Sequence, residues 1–237
     1  MLVKNWMTEE VITLEEEEPI TRAIQLLKEH QIRRIPITRG GKLVGIVTQT
    51  DIKEATPPKF VGVDLKELYD LFLNLKVKDI MTPDPITVSP EDTIEKASVL
   101  MLENKISGLP VVNENNYVIG IITQTDIFKL FVQLTGAYFS PYHVALYINS
   151  PYQLPEILEI FKNLQINIYT IFCWRDEFCI DDTCKKRVFI RFQAVEEAKI
   201  KEALEKLETK FEIAEFKKDN IKDIPQKRKE EKNLLVF

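Results

Sequence analysis

The sequence predicts an α+β protein: two β-α-β-β-α repeats in tandem, then a separate β-α-β-β-α-β domain. Three observations predict it. Residues 45–52 read "GIVTQTDI" and residues 120–127 read "GIITQTDI", 75 positions apart (120 − 45). That echo ends a longer repeat, because a shift of 74 (77 − 3) lays "VKNWMT" (3–8) on "VKDIMT" (77–82). The same shift lays "VIT" (11–13) on "PIT" (85–87) and "RRIPI" (33–37) on "SGLPV" (107–111), and one extra residue near Asn115–Asn116 then moves the offset to 75. The repeat fixes the architecture of the first half. After Gly136 it stops, and Val144, Leu146 and Ile148 alternate with Ala145 and Tyr147, the mark of a half-buried strand opening a new pattern.

Each repeat reads in the same order. A short extended piece comes first, Val11–Leu14 or Ile86–Val88. Acids follow, Glu15–Glu18 or Glu91 with Asp92, expected at a helix N-terminus where the macrodipole favours them. An amphipathic helix comes next, with Ile20, Ala23, Ile24 and Leu27 on one face, or Ile94, Ala97, Leu100 and Met101. A strand (Arg34–Thr38; Leu109–Val112) leads through turn residues (Gly40–Gly41; Asn113–Asn116) to a second strand (Leu43–Thr48; Val118–Thr123). A second helix begins at about Thr50 or Thr125. One such unit has too small a core to stand alone, so the two are expected to pack together. The connection Thr56–Leu75 carries a helical stripe of Leu65, Leu68, Leu71, Phe72 and Leu75.

In the last domain "AYFSPY" reads as a linker and His143 starts a strand. Leu154–Leu164 is a helix with Pro155 in its first turn, where proline is tolerated. Ile166–Trp174 and Lys186–Ala194 form a long hairpin, Glu196–Glu208 a helix with Ile200, Ala203, Leu204 and Leu207 inward, and Phe211–Phe216 a final strand. This order is the ferredoxin-like arrangement. The expected divisions are 1–56, 57–75 as connector, 76–136, 142–218, and a charged tail 219–237 that reads as a disordered or a docking segment.

Composition narrows the function. The 237 residues are 45% hydrophobic and 29% charged, with a net charge of −5. No basic stripe offers itself to phosphate backbones, so nucleic acid is not an expected partner. No apolar run approaches the roughly 20 residues that span a bilayer, and the acidic N-terminus lacks the features of a signal peptide. The expectation is a cytoplasmic protein without membrane attachment. Cys173, Cys179 and Cys184 are too few for a disulfide framework. Cys179 and Cys184, near the hairpin tip, lack the further ligands of a zinc site because His30 and His143 are distant in sequence. They read as free thiols, with a reversible disulfide as the alternative. No P-loop, nucleophile elbow, zinc-protease helix or dinucleotide glycine fingerprint is present. No enzyme, catalytic residue or metal is expected.

The string "TQTD" has two readings. Thr48-x-x-Asp51 and Thr123-x-x-Asp126 fit a capping box at a strand-to-helix corner. The same corner offers helix N–H groups to a phosphate, a carboxylate to two vicinal ribose hydroxyls, and a hydroxyl. Ile12, Ile35 and Pro36, or Ile86, Leu109 and Pro110, are placed to sandwich a purine.

On "VKNWMT"/"VKDIMT", "RRIPI"/"GLPVV" and "GIVTQTD"/"GIITQTD" the chain resembles a tandem pair of CBS (cystathionine β-synthase) motifs, a Bateman module, over about residues 1–130. The resemblance implies clefts that bind AMP, ADP, ATP or S-adenosylmethionine, as a regulatory ligand and with no required cofactor. It places Ile12, Thr13, Arg34, Ile35, Pro36, Thr48 and Asp51 in the first cleft. Ile86, Thr87, Leu109, Pro110, Thr123 and Asp126 fall in the second. Arg33 and Arg34 align with Ser107 and Gly108, so the cleft using Arg34 is expected to take the phosphorylated ligand, unless the arginines are only a solvated strand edge.

Residues 142–218 resemble an ACT domain, a regulatory module that often binds amino acids. Its usual Asp-x-Pro-Gly turn reads "NSPYQL" here; Asn149 and Pro151 fit, but Tyr152 replaces the glycine and is expected to fill space. A dimerising role therefore stands beside amino-acid binding. The combination resembles the acetoin-utilisation regulatory proteins of bacteria. It implies a ligand-sensing homodimer that acts on an unidentified regulated protein. The alternatives are an interaction homodimer with empty clefts, or an amino-acid sensor working through the ACT-like domain.

Overall fold

The computed structural model describes residues 1–56, 72–175, 185–194, 196–219, 221 and 224. Leu65, Leu68 and Leu71 of the expected connector helix, Cys179, Cys184 and most of the tail lie outside the described residues. The chain forms two compact units, Met1–Phe128 and Lys129–Phe237.

In the first unit, repeat one supplies β1 (Leu14–Glu15), α1 (Ile20–Glu29), β2 (Arg34–Arg39), β3 (Lys42–Thr48) and α2 (Gln49–Ala55). Repeat two supplies α3 (Val77–Ile80), β4 (Thr82–Pro83), α4 (Ile94–Glu103), β5 (Gly108–Val112), β6 (Val118–Thr123) and the first residues of α5 (Gln124–Leu134). One sheet runs β1-β2-β3-β4 and a second pair joins β5 to β6. Strand β1 lies parallel to β2, while the β2–β3, β3–β4 and β5–β6 pairs are antiparallel. Helix α1 buries Ile20, Ala23, Leu26 and Leu27, so Leu26 takes the inward place expected of Ile24. Helix α4 buries Ile94, Ala97 and Met101.

The repeats do not fold as two separate halves, because each gives its opening segment to the other. Val3 N–H donates to Asp92 O at 2.9 Å, and Thr8 and Ile121 exchange backbone bonds at 2.9 and 3.0 Å. In return Val77 N–H donates to Glu18 O at 2.9 Å, and Thr82 and Pro83 pair with Ile46 and Gly45. The glycines that open the two echoed strings serve this exchange. The Met81 side chain lies where a Cβ at Gly45 would stand, and Met7 does the same at Gly120. Ion pairs repeat it: Lys78 Nζ meets Glu17 at 2.6 Å, and the equivalent Lys4 Nζ meets Glu91 at 2.8 Å.

Two sequence expectations change. The extended piece of repeat one is Leu14–Glu15 rather than Val11–Leu14, set by its pairing with Ile37 and Thr38. In repeat two only Val88 bridges, to Val111. The acid run does not serve the dipole of α1, whose N-cap is Pro19 and whose first turn has no acid. Specific partners take it instead. The Glu15 carboxylate accepts from Thr38 Oγ1 (2.8 Å), Gly40 N (2.9 Å) and Gly41 N (3.3 Å), clasping the β2–β3 turn. Glu16 pairs with Arg39, and Glu17 with Lys76 and Lys78. Gly40 and Gly41 take φ of +58° and +80°, the left-handed region glycine enters without strain.

The second unit orders β7 (Tyr142–Ile148), α6 (Leu154–Asn163), β8 (Asn167–Arg175), β9 (Lys186–Gln193), α7 (Glu197–Glu208) and β10 (Glu212–Lys218). Its four strands lie in the order β10-β7-β9-β8, each pair antiparallel. The predicted βαββαβ sequence of elements is therefore present. Val144, Leu146, Ile148, Ile157, Phe161, Val188, Ile190 and Phe192 form its core with Ala203 and Leu207. Tyr152 does not fill the turn after β7, as expected from sequence; it is 91% exposed. The turn is held by its neighbours. Ser150 Oγ accepts from Tyr152 N–H at 3.3 Å, and Gln153 Oε1 accepts from Asn149 N–H at 2.8 Å. Among the described residues no helix is long and apolar enough to cross a membrane.

Candidate functional site

The echoed strings fold into two matching corners. In repeat one, β3 ends at Thr48 in extended backbone and α2 begins at Gln49. Thr48 Oγ1 accepts from the N–H groups of Thr50 (3.2 Å) and Asp51 (3.3 Å). Asp51 Oδ2 accepts from Thr48 N–H at 2.6 Å and from Thr48 Oγ1 at 2.8 Å. In repeat two, Asp126 Oδ2 accepts from Thr123 N–H at 3.0 Å and Thr123 Oγ1 at 2.6 Å. All four side chains are half-buried, so each corner is reachable from solvent. The cap hydrogen bonds run to Oδ2 in both repeats, and a carboxylate accepts at two oxygens.

The strand upstream lies alongside. Arg34, Ile35 and Pro36 of β2 stand opposite Thr48, Val47 and Ile46. Gly108, Leu109 and Pro110 of β5 stand opposite Thr123, Ile122 and Ile121 in the same register. Ile35 and Leu109 are fully buried, and Pro36 and Pro110 are buried too. Each corner thus has one buried apolar–proline pair in the strand beside it. Ile12 is half-buried against the core and Thr13 is exposed, whereas Ile86 is exposed and Thr87 half-buried. The segment carrying Ile86 and Thr87 runs beside Pro110, whose carbonyl accepts from Val88 N–H at 3.1 Å.

The corners differ at one place. The Arg34 guanidinium leaves its own strand: Nη2 donates to Ser107 Oγ, and the group occupies the space over Gly108. Burial, and secondly the charge of Arg33, pull its pKa below the ordinary arginine value. Ser107 was not among the residues singled out from sequence. Its signal was there in the alignment, where Arg33 and Arg34 fall on Ser107 and Gly108, a small pair against a large one. Among the described residues no group of three or more His, Cys, Asp or Glu side chains is placed to hold a metal ion.

Comparison with known proteins gives the same two segments. The family model for the CBS domain matches residues 3–57 and 77–133. Inosine-5'-monophosphate dehydrogenase of Korarchaeum cryptofilum is 39% identical over 125 residues, 53% of this chain and 23% of that enzyme. The uncharacterized protein MJ1426 of Methanocaldococcus jannaschii is 30% identical over 155 residues, 56% of this chain and 92% of that protein. The CBS domain pair of protein MJ0100, solved with 5'-methylthioadenosine and S-adenosyl-L-methionine, has 34% identity, covers 55% of this chain and 99% of its own, and has a TM-score of 0.46. The chain spans about half or less of the first curated relatives it matches, 23% and 52% of their lengths. Both domain matches fall on the two repeats and carry their paired Thr–Asp corners. This chain belongs to the CBS-domain family and bears a tandem CBS pair.

Proposed function

We propose that the protein is a ligand-sensing regulator that binds an adenosine nucleotide or derivative in its CBS pair. The observation that carries this reading is the corner built twice, with a threonine hydroxyl and an aspartate carboxylate half-exposed beside a buried apolar–proline pair. A carboxylate there accepts from the two vicinal hydroxyls of a ribose, the threonine hydroxyl adds a contact, and the flanking apolar residues cover the purine. The first cleft comprises Ile12, Thr13, Arg34, Ile35, Pro36, Thr48 and Asp51, and the second Ile86, Thr87, Leu109, Pro110, Thr123 and Asp126. AMP, ADP, ATP and S-adenosylmethionine are the candidate ligands.

The protein acts by binding rather than by catalysis. Binding shifts a homodimer and so alters a partner protein, in acetoin or related carbon metabolism on the sequence resemblance. The C-terminal unit is an ACT-like module that contributes to self-association, a reading supported by its βαββαβ order.

A second reading is favoured by the completeness of the caps. Thr48 and Asp51 satisfy one another without any ligand, so an interaction homodimer with empty clefts would keep the same residues. Thermal melting against AMP, ADP, ATP, 5'-methylthioadenosine and S-adenosylmethionine separates the two. A ligand that binds the folded state raises the melting temperature, by about 2.7 kcal/mol of stability at a hundred times Kd. A rise that Asp51→Asn with Asp126→Asn abolishes supports the sensor. No rise with any of the five compounds overturns it.

A further inference from the structure

Equivalent positions of the two repeats meet at residues 34 and 108. A shift of 74 (108 − 34) relates them, and the Arg34 guanidinium lies on Gly108. Two equivalent residues touch only at the local twofold axis that relates the repeats. The hairpin tips also abut, since Leu43 N–H donates to Asn116 O and Asn116 Nδ2 to Leu43 O, both at 3.0 Å. The starts of β2 and β5 therefore meet at residues 34 and 108, where the Arg34 side chain takes the space. Gly108 yields that space: besides the guanidinium, a Cβ there would come within 3.1 Å of Ile122 O.

The charge of Arg34 is thus delivered away from the corner its backbone belongs to. Residue 34 stands opposite Thr48, but its guanidinium sits on Ser107 and Gly108, and Gly108 stands opposite Thr123. Ser107 O also accepts from the N–H of Gln124, the first residue of α5, at 3.1 Å, so the cation lies against the strand end beside the Thr123–Asp126 corner. Repeat two returns nothing, because Gly108 has no side chain. Among the described residues Arg34 forms no ion pair with a carboxylate, and Ser107 Oγ engages only one guanidinium nitrogen. A half-buried cation with donors to spare attracts an anion, and a phosphate takes two parallel N–H bonds from one guanidinium.

We propose that Arg34 determines ligand charge across the repeat axis, making the Thr123–Asp126 cleft the one that takes a 5'-phosphorylated adenosine and leaving the Thr48–Asp51 cleft for an uncharged or cationic derivative. This rests on the adenosine reading above and reverses the charge assignment that the strand order alone implies.

Calorimetric titration with AMP and with adenosine tests it in two backgrounds of the full chain. Asp51→Asn leaves the second cleft in working order, and Asp126→Asn leaves the first. Adding Arg34→Gln to Asp51→Asn is expected to weaken AMP about tenfold or more and adenosine less than twofold. Adding it to Asp126→Asn is expected to leave both within twofold. An AMP loss confined to the Asp126→Asn background, equal losses for AMP and adenosine, or no loss in either background overturns the proposal. Far-UV circular dichroism and melting of each variant show that it is folded, and Ser107→Ala, which frees the guanidinium without removing its charge, must reduce AMP affinity less than Arg34→Gln does. If the unaltered protein binds neither compound, the adenosine reading itself fails, an outcome distinct from all of these.

Discussion

Repeat one and repeat two close their corners with the same residues and diverge one strand upstream. Thr48 with Asp51 and Thr123 with Asp126 make the same bonds to the same oxygen, within a few tenths of an ångström. At positions 34 and 108 the repeats carry the longest cation and the smallest residue. The difference follows from geometry. At the 34–108 contact the Arg34 side chain takes the space over Gly108, so a second large side chain has no room there. Where a residue meets a non-equivalent partner, the contact can be made twice. Met7 on Gly120 and Met81 on Gly45 are such a duplicated contact, as are Lys4–Glu91 and Lys78–Glu17. The hairpin tips meet at a second equivalent pair, 75 positions apart (117 − 42), where Lys42 stands over the Tyr117 ring. Duplication therefore preserves the corners, while at the local axis the two repeats carry different residues.

The strongest way to break the comparison is to attack the duplicated methionine contacts. Gly45→Val and Gly120→Val each put side-chain atoms where Met81 or Met7 lies, and each is expected to cost about 1–3 kcal/mol in urea denaturation. The two costs should be similar. A neutral result at one of them would mean that the exchange of opening segments is not equally tight on both sides.

A smaller effect tests the corners. Thr48→Ala removes a helix cap worth about 1 kcal/mol, and Thr123→Ala removes the matching hydroxyl bond to Asp126. Near-equal losses of stability sharpen the view that the corners are alike, while a loss of more than 2 kcal/mol at one and none at the other would break it.

The smallest effect concerns the exposed clip that repeat one builds with its acid run. The hydrogen bond from Lys76, and then that from Lys78, hold the Glu17 carboxyl down from 4.5 to about 2. A carboxyl lowered in the folded state stabilises above its unfolded pKa, and that contribution is lost as pH falls through the folded one. Glu17→Gln is therefore expected to melt slightly below the parent at pH 6. The gap should narrow from about pH 4.5 downward and close near pH 2. The pair is exposed and screened, so 0.5 M salt should shrink the gap at pH 6 as well. A gap independent of pH would show that Glu17 acts by packing rather than by charge.

Much of the molecule was legible before any coordinates. The order of strands and helices in both units follows from periodicities that span a few residues, and the caps at Thr48 and Thr123 are bonds between positions three apart. The acid run misled because its pairing was decided elsewhere. Glu15 serves a turn 25 residues on, and Glu17 serves a lysine 59 residues on. Nothing local distinguishes such acids from a solvated helix start. Tyr152 misled for the opposite reason: the turn it sits in is satisfied by Ser150 and Gln153, leaving its ring free to face solvent.

By itself, then, the sequence determined the repeat, the corners and the succession of elements, because each is written in neighbours along the chain. Only the tertiary structure decided which repeat each opening segment joins and which way Arg34 points. Both depend on residues far apart in the chain, such as the 73 positions that separate Arg34 from Ser107 and the 59 that separate Lys76 from Glu17. A long side chain on a strand end can turn to either side, and the space left by a glycine across the axis selects the side.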